Sequence, residues 1–376
     1  MRGRAGRRSA PIYDRRVAAG LTAAHWRARH LHWWPDAVPR TYEAAADRII
    51  VLSDLHRGKR DRADDFRPCA EAYAAALDHY AREGYTLVLL GDTEELWKNR
   101  PGAVVDAYPG LYRREAAFHR EGRLIRFWGN HDEDWASPAL VAQELGETYG
   151  GEAIPVGEGL LLEARENGRR LGTIFLVHGH QGTGLSDTLA FLARFTVRFI
   201  WKPIQHLTQV SRNTPSRNRK VREKHLGAMR RWAEAHDGLL LITGHTHRPV
   251  FASISILDEL ERRLGVNVDD FTRRVDETGI WDELTAECLK RGWLGDEAPC
   301  GPPAPAERES LQPSLFNSGC CCYRDGRITG LELAAGEIRL VLWSPGPPGR
   351  RRVLGAAELA DVFSRIEGSE AIRQTA

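Results

Sequence analysis

The sequence lacks any apolar run long enough to cross a membrane, because a spanning helix needs about 20 such residues in succession. It also has little net charge: 53 lysines and arginines against 51 aspartates and glutamates leave a formal charge of +2 at pH 7. A nearly neutral chain gives no electrostatic reason to expect a nucleic acid or a membrane surface as partner. With 42% hydrophobic and 28% charged residues, the composition is typical of a soluble globular protein with a large core.

Cysteine is also scarce, and the six cysteines include no CxxC pair. Three are consecutive, Cys320 to Cys322, and we interpret them as small side chains packed on a strand rather than as a metal site, because neighbouring strand residues point to opposite faces. The basic N-terminus leads into no unbroken apolar segment, so the sequence predicts no secretory signal. These features predict reduced thiols and a cytoplasmic protein.

The organising feature of the chain is a short apolar run that ends abruptly in glycine or in a polar residue. Five such runs are predicted strands: Ile49 to Leu52, Leu87 to Leu90, Leu124 to Trp128, Ile174 to Val177 and Leu239 to Ile242. Between the first two, Asp64 and Asp65 predict the start of a helix that continues to Ala81, which gives a βαβ pattern. Continuous apolar strands suit a sheet covered by helices, where ligands bind at the carboxyl ends of the strands. We therefore expect the polar residues after the five strands to converge on one edge.

Side chains that bind metals follow each predicted strand. In chain order they are Asp54, His56, Asp92, Asn130, His178, His245 and His247. Carboxylate, amide oxygen and imidazole together favour manganese, iron, zinc or cobalt over calcium, which prefers oxygen ligands alone. Cysteine is absent from these clusters, which argues against a structural zinc site. Seven ligands are too many for one ion and suit two ions that share a carboxylate. Gly91, Gly129 and Gly244 precede three of the clusters and would let the backbone approach the site closely.

The clusters form five motifs in the order DxH, GD, GNH, H and GHxH. They are Asp54-Leu55-His56, Gly91-Asp92, Gly129-Asn130-His131, His178-Gly179-His180 and Gly244-His245-Thr246-His247. This series resembles the calcineurin-like metallophosphoesterase superfamily over residues 47–345. The resemblance implies an α/β fold, a four-layer αββα sandwich of two mixed sheets flanked by helices, here with helical insertions. It also implies a hydrolase of phosphate esters or anhydrides that uses two divalent transition-metal ions, manganese first, with iron, zinc or cobalt as alternatives.

The resemblance further implies a role for each ligand. The implied assignments are Asp54, His56 and His247 on the first metal, Asn130, His178 and His245 on the second, and Asp92 on both. A metal-bridging hydroxide would attack phosphorus, and His131, oriented by Glu95, would protonate the leaving group as general acid. Arg57, His180 and Arg248 flank the ligands and are predicted to contact the substrate. For the two arginines, ordinary solvated surface charge is the alternative.

Several parts of the chain lie outside these motifs. Residues 185–236 form a predicted basic helical cap, with three interpretations open: a helix packed on the core, a cap that shapes the substrate site, and an interfacial membrane helix. This cap and the GHTHRP sequence are similar to the UDP-diacylglucosamine diphosphatase branch of the superfamily. That branch carries GNR where this chain has Gly129-Asn130-His131, so we do not assign its lipid substrate to this chain.

The remaining segments complete the predicted organisation. Residues 256–313 are a second insertion, and residues 328–343 are a hairpin expected to close the second sheet. Residues 1–46 are a basic helical arm, either docked on the sandwich, which we favour, or resting on an anionic surface. Residues 346–376 are a tail with a short helix.

Two rival functions stay open at this point. One is a noncatalytic scaffold of the same fold, which the complete ligand set and His131 disfavour. The other is a nucleic-acid phosphodiesterase, to which the net charge lends no support. The predicted partner is a phosphate-containing substrate, with peripheral membrane contact through the basic cap as a further option. The sequence does not choose between a nucleotide, a lipid pyrophosphate, a nucleic acid and a phosphoprotein, and it predicts no oligomeric state.

Overall fold

The computed structural model of the chain describes residues 11–30, 34, 38, 40–151, 154–183, 219–255, 312–347 and 349–367. Residues 185–218 of the predicted cap and 256–311 of the second insertion lie outside these ranges. In the described part, no helix is both long enough and apolar enough to cross a membrane.

The described residues form fourteen strands and seven α-helices. The strands are β1 (Thr41–Glu43), β2 (Ile49–Leu52), β3 (Thr86–Leu90), β4 (Leu124–Phe127), β5 (Val156–Gly157), β6 (Gly159–Glu166), β7 (Arg169–Val177), β8 (Leu239–Thr243), β9 (Val250–Phe251), β10 (Ile254–Ser255), β11 (Leu315–Asn317), β12 (Ile328–Ala334), β13 (Glu337–Ser344) and β14 (Arg350–Glu358). The helices are α1 (Ile12–His30), α2 (Ala70–Arg82), α3 (Pro101–Ala107), α4 (Pro109–Arg120), α5 (Pro138–Leu145), α6 (Arg219–Glu234) and α7 (Leu359–Glu367).

The strands divide into two mixed seven-stranded sheets. Sheet 1 has the order β14-β13-β12-β2-β3-β4-β5, with β2, β3, β4 and β5 parallel. Sheet 2 has the order β1-β6-β7-β8-β11-β9-β10, and β7, β8 and β11 run parallel at its centre. The five predicted strands are therefore shared between the sheets: β2, β3 and β4 lie in sheet 1, and β7 and β8 lie in sheet 2.

Alternate residues of the central strands face two different cores. In β2, Val51 faces the core between the two sheets, where it packs with Ile174 and Leu240 of sheet 2. Its neighbour Leu52 faces the opposite way, into the core under α2 and α4. Helices α1 and α6 cover the outer face of sheet 2 in the same manner. The resulting order of helices, sheet, sheet and helices confirms the predicted four-layer αββα sandwich.

Three local features differ from the predictions. The helix expected from Asp64 begins later, at Ala70, after a 3₁₀ helix at Arg67–Cys69. The Asp64 carboxylate accepts hydrogen bonds from the backbone N–H groups of Arg60 and Phe66 in the loop before both helices. The hairpin β12–β13 does not close a separate sheet, since β12 pairs with β2 in sheet 1. The tail also contributes β14 beside β13. This strand was not predicted, because its arginines interrupt any apolar run. A strand at a sheet edge can carry such residues, since one of its faces can be exposed to solvent.

Candidate metal centre

The loops that follow β2, β3, β4, β7 and β8 meet on one side of the sandwich. Backbone hydrogen bonds join them: the Asp54 N–H donates to the Gly91 carbonyl at 3.1 Å, and the Gly244 N–H donates to the His178 carbonyl at 2.9 Å. A third link crosses between the sheets, where the His245 N–H donates to Asp54 Oδ2 at 2.8 Å. The two sheets therefore build a single site from five chain segments.

Five of the seven predicted ligands have a backbone conformation that non-glycine residues rarely adopt. Asp54, His56, Asp92, His245 and His247 all have φ between 51° and 66°. Each such residue costs about 1–3 kcal/mol, and the conformation persists only where the surrounding structure imposes it. The concentration of this strain in the ligand loops indicates that the loops are shaped for a function and not for stability.

The three glycines before the ligand clusters allow these loops to touch. A Cβ atom on Gly91, whose φ is +86°, would lie 2.7 Å from His178 Nδ1. A Cβ on Gly129 would collide with the Asp92 side chain, and one on Gly244 would collide with Asp54. The sequence prediction that glycine permits close approach at this site is confirmed.

One group of ligand atoms forms around Asp54. The Nε2 atom of His247 lies 3.3 Å from Asp54 Oδ1 and 3.0 Å from His56 Nε2. His56 Nε2 is 3.9 Å from the same Asp54 oxygen. A carboxylate and two imidazoles therefore point at one another, as the ligands of one cation do.

A second group forms around Asp92. Its Oδ2 atom is 3.2 Å from His178 Nε2, and the ligand atoms of Asp92, His178 and His245 all lie within 4.8 Å of one another. The same Asp92 oxygen is 3.8 Å from His56 Nε2 in the first group. Asp92 thus stands between the two groups, where a bridging carboxylate would stand.

Several of the donor atoms make no hydrogen bond to a described residue, which suits them to metal ions. Within the described residues, four predicted ligands keep a buried atom without a hydrogen bond: Asp54 Oδ1, Asn130 Oδ1, His178 Nε2 and His245 Nε2. Each such atom costs about 1–3 kcal/mol if it stays unpaired. His178 is also oriented for ligation, since its Nδ1 lies 2.8 Å from the Leu90 carbonyl and leaves Nε2 facing the site. These residues therefore fit divalent cations.

The electrostatics of the site favour positive charge. Burial opposes ionisation of Asp92, but His178 and His131 hold the pKa of its carboxyl well below the usual range. Burial likewise opposes a charged His178, but Asp92 and Asp54 raise the pKa of its imidazole to about 9. The two carboxylates therefore stabilise a cation beside them, and a bound metal ion would gain from the same field.

His131 lies at the rim of the site. Its Nδ1 is 3.0 Å from Glu95 Oε2, and this Glu95 oxygen is also 3.6 Å from His56 Nδ1. The His131 ring stacks on Trp97, with centroids 3.8 Å apart and an angle of 22° between the planes. A carboxylate and an aromatic face therefore hold the His131 ring in one orientation. The sequence had not singled out Trp97, although it follows Glu95 by only two positions.

The predicted substrate residues take different positions. Arg57 is fully buried, forms an ion pair with Glu115 and lies 4.7 Å above the ring of Tyr112. Because it is turned into the core under α2 and α4, it has no access to a substrate, which corrects the predicted phosphate contact. His180 lies closer to the site, with its ring 5.5 Å from that of His178, and burial lowers its pKa to about 3. Arg248 is half-buried beside His247.

Asp132 is a further buried carboxylate that the sequence did not single out. Its oxygens accept hydrogen bonds from four backbone N–H groups, those of Gly129 (2.6 Å), Asp92 (3.1 Å), Thr93 (2.7 Å) and Glu94 (3.3 Å). It thereby ties the loop after β4 to the loop that carries Asp92. Its place directly after the GNH motif was the only available signal.

We expect Asp132→Ala to destabilise the protein by about 3 kcal/mol or more, because it leaves several buried N–H groups unpaired. Denaturant unfolding monitored by tryptophan fluorescence measures this change. The control is Glu133→Ala, which removes the next, exposed carboxylate and should change stability by about 0.5 kcal/mol or less. Equal, small effects of the two substitutions would contradict the structural role of Asp132.

The site geometry agrees with a comparison to known families. A family model for calcineurin-like phosphoesterases matches residues 47–249, which include β2, β3, β4, β7 and β8 and all seven predicted ligands. No curated protein matches the chain. The family match covers more than half of the 376 residues. The chain therefore belongs to the calcineurin-like phosphoesterase family and is a metallophosphoesterase.

Proposed function

We propose that this metallophosphoesterase hydrolyses phosphate esters or anhydrides with two divalent cations joined through Asp92. The observation that best supports this proposal is the pair of ligand groups on either side of the Asp92 carboxylate. The proposed ligands are Asp54, His56 and His247 for the first cation, Asn130, His178 and His245 for the second, and Asp92 for both. This complete set argues against a noncatalytic scaffold. No feature of the described residues favours such a scaffold.

The ligand chemistry limits the choice of metal. Imidazole with carboxylate and amide oxygen suits manganese, iron, zinc or cobalt, and we propose manganese first. When bound, two such cations would polarise the phosphoryl oxygens and make a water molecule acidic enough to attack phosphorus at neutral pH.

We assign to His131 the role of general acid, which donates a proton to the leaving group. Its Nδ1 faces Glu95, so the proton on Nε2 is the one that can reach a leaving-group oxygen. Burial opposes ionisation of Glu95, but hydrogen bonds from His131 and His56 hold the pKa of its carboxyl well below the usual range. A charged Glu95 accepts the hydrogen of His131 Nδ1 and so fixes the tautomer of the ring. His180 and Arg248 stay proposed substrate contacts, whereas Arg57 does not.

A panel of phosphate compounds tests the proposed reaction. It should contain a monoester, a cyclic diester, a linear diester, a nucleoside diphosphate and a lipid-linked pyrophosphate, each assayed with manganese and again with a chelator. We expect chelator-sensitive hydrolysis of at least one class. The complete absence of hydrolysis with every compound and metal would argue for the scaffold.

The salt dependence of substrate binding distinguishes a nucleic-acid phosphodiesterase from a hydrolase of small phosphate compounds. Binding of a polyanion weakens steeply as salt rises, because many counterions are released, whereas binding of a small diphosphate responds weakly. We expect the weak response from this nearly neutral chain.

A further inference from the structure

The cysteine triplet lies against a proposed metal ligand. Cys322 Sγ is 3.7 Å from His247 Nδ1, and Cys322, His56 and His247 bring their ligand atoms within 4.8 Å of one another. The Cys320 thiol contacts both Cys322 and His247. The sequence interpretation of the triplet as strand packing is wrong, because the triplet lies in the loop between β11 and β12; only Cys321 packs in the core under α2 and α4.

The triplet lies in the loop between β11 and β12, with Cys321 at a bend of the backbone. Cys320 and Cys322 both lie on the side of His247, while Cys321 turns away into the core under α2 and α4. Cys320 and Cys321 are buried, whereas Cys322 is partly exposed. A small oxidant can therefore reach a thiol that already has a second thiol beside it.

The two thiols face the ring edge of His247 that would not bind the metal. His247 Nε2 points at Asp54 Oδ1 and His56 Nε2, so metal binding there places the ring proton on Nδ1, toward the thiols. Such outer partners of a ligating histidine orient its ring, and their loss typically weakens metal binding about 10–100-fold. A carboxylate or a backbone carbonyl usually has this role. Here two sulfur atoms have it, and sulfur can be oxidised.

We propose that Cys320 and Cys322 form a reversible disulfide that weakens metal binding at the His247 side of the site. This inference rests on the proposed function, because it requires His247 to be a ligand. The oxidant is a peroxide. The Cys322 sulfur attacks one oxygen of hydrogen peroxide, and the O–O bond breaks, which leaves a hydroxyl group on the sulfur. The departing hydroxide accepts the thiol proton and becomes water. The Cys320 sulfur then displaces the hydroxyl group from Cys322 as a second water, and the S–S bond forms.

The disulfide changes what His247 can bind. Both sulfur atoms have lost their protons and their capacity to become thiolates, so they are weaker hydrogen-bond acceptors than before. The Nδ1–H group of His247 then loses its partner, and the ring is held less firmly toward Asp54. We expect one of two bound ions to bind about 10–100-fold more weakly in the oxidised protein.

Zinc is the suitable probe, because it does not change its own oxidation state. The full-length zinc protein is treated with hydrogen peroxide, the disulfide is mapped by peptide mass spectrometry, and zinc affinity is measured against a chromophoric chelator before and after dithiothreitol. We expect a Cys320–Cys322 disulfide, weaker binding of one zinc ion, and recovery on reduction. Cys321→Ala, the matched control, should respond as the unmodified chain does. Cys322→Ser should show the same zinc affinity with and without peroxide.

Three results would overturn the inference alone: no disulfide between these residues, a disulfide without loss of affinity, or a full peroxide response in Cys322→Ser. A reduced protein that binds no zinc and no manganese would overturn the proposed function as well. The measurement on the reduced protein therefore distinguishes the two failures.

Discussion

Asp92→Asn is expected to lower the rate of metal-dependent hydrolysis by about 10³-fold or more. Two bound metal ions would supply several kcal/mol of transition-state stabilisation, and Asp92 is the proposed ligand of both. Its Oδ2 lies 3.2 Å from His178 Nε2 and 3.8 Å from His56 Nε2. Asparagine keeps the size of the side chain but loses the negative charge that two cations would share. Initial rates with an aryl phosphodiester and manganese measure the effect.

A matched control separates this effect from a general loss of charge. Asp78 is an exposed carboxylate on α2 that pairs with Arg114, and Asp78→Asn makes the same chemical change outside the site. We expect Asp78→Asn to retain full activity. Unchanged turnover in Asp92→Asn would contradict the assignment of Asp92 as the shared ligand.

His131→Ala is expected to slow hydrolysis of esters with poor leaving groups by about 10²–10⁴-fold. An alkoxide leaving group needs a proton as its bond to phosphorus breaks, whereas a nitrophenolate leaves readily without one. The variant should therefore lose much less activity with a nitrophenyl ester. A series of esters graded by leaving-group pKa, assayed with both proteins, measures this difference.

The metal content of His131→Ala is the internal control, because His131 lies outside both proposed ligand groups. We expect the variant to bind as much metal as the unmodified chain. Equal slowing across the whole leaving-group series would count against His131 as the general acid.

The fold and the convergence of the ligand loops could be predicted from sequence because both follow from local patterns. Apolar runs such as Ile49–Leu52 indicate strands buried on both faces, and a polar residue directly after a strand lies at its carboxyl end. The glycines before three of the clusters marked where loops come into contact. The order of motifs then identified the family, and with it a fold of two sheets, whereas the division of these strands between the sheets is known only from the structure.

Other features depend on contacts between distant parts of the chain and could not be predicted from local patterns. Arg57 follows His56 directly and resembled a phosphate contact, yet an isolated β-bridge to Glu94 turns it into the core. Asp132 satisfies N–H groups from a loop about 40 positions earlier in the chain. The contact of Cys322 with His247 likewise joins residues 75 positions apart. Such pairings follow from tertiary packing, which single residue types do not specify.

Seven side chains from two sheets are proposed to hold two metal ions. Elemental analysis of the purified full-length protein, after saturation with manganese and removal of free ions, tests this proposal most directly. We expect about two ions per chain, a higher melting temperature with manganese, and a clear reduction in bound metal in Asp92→Asn. A protein that binds no transition metal, and whose melting temperature does not rise with manganese, would contradict the proposal.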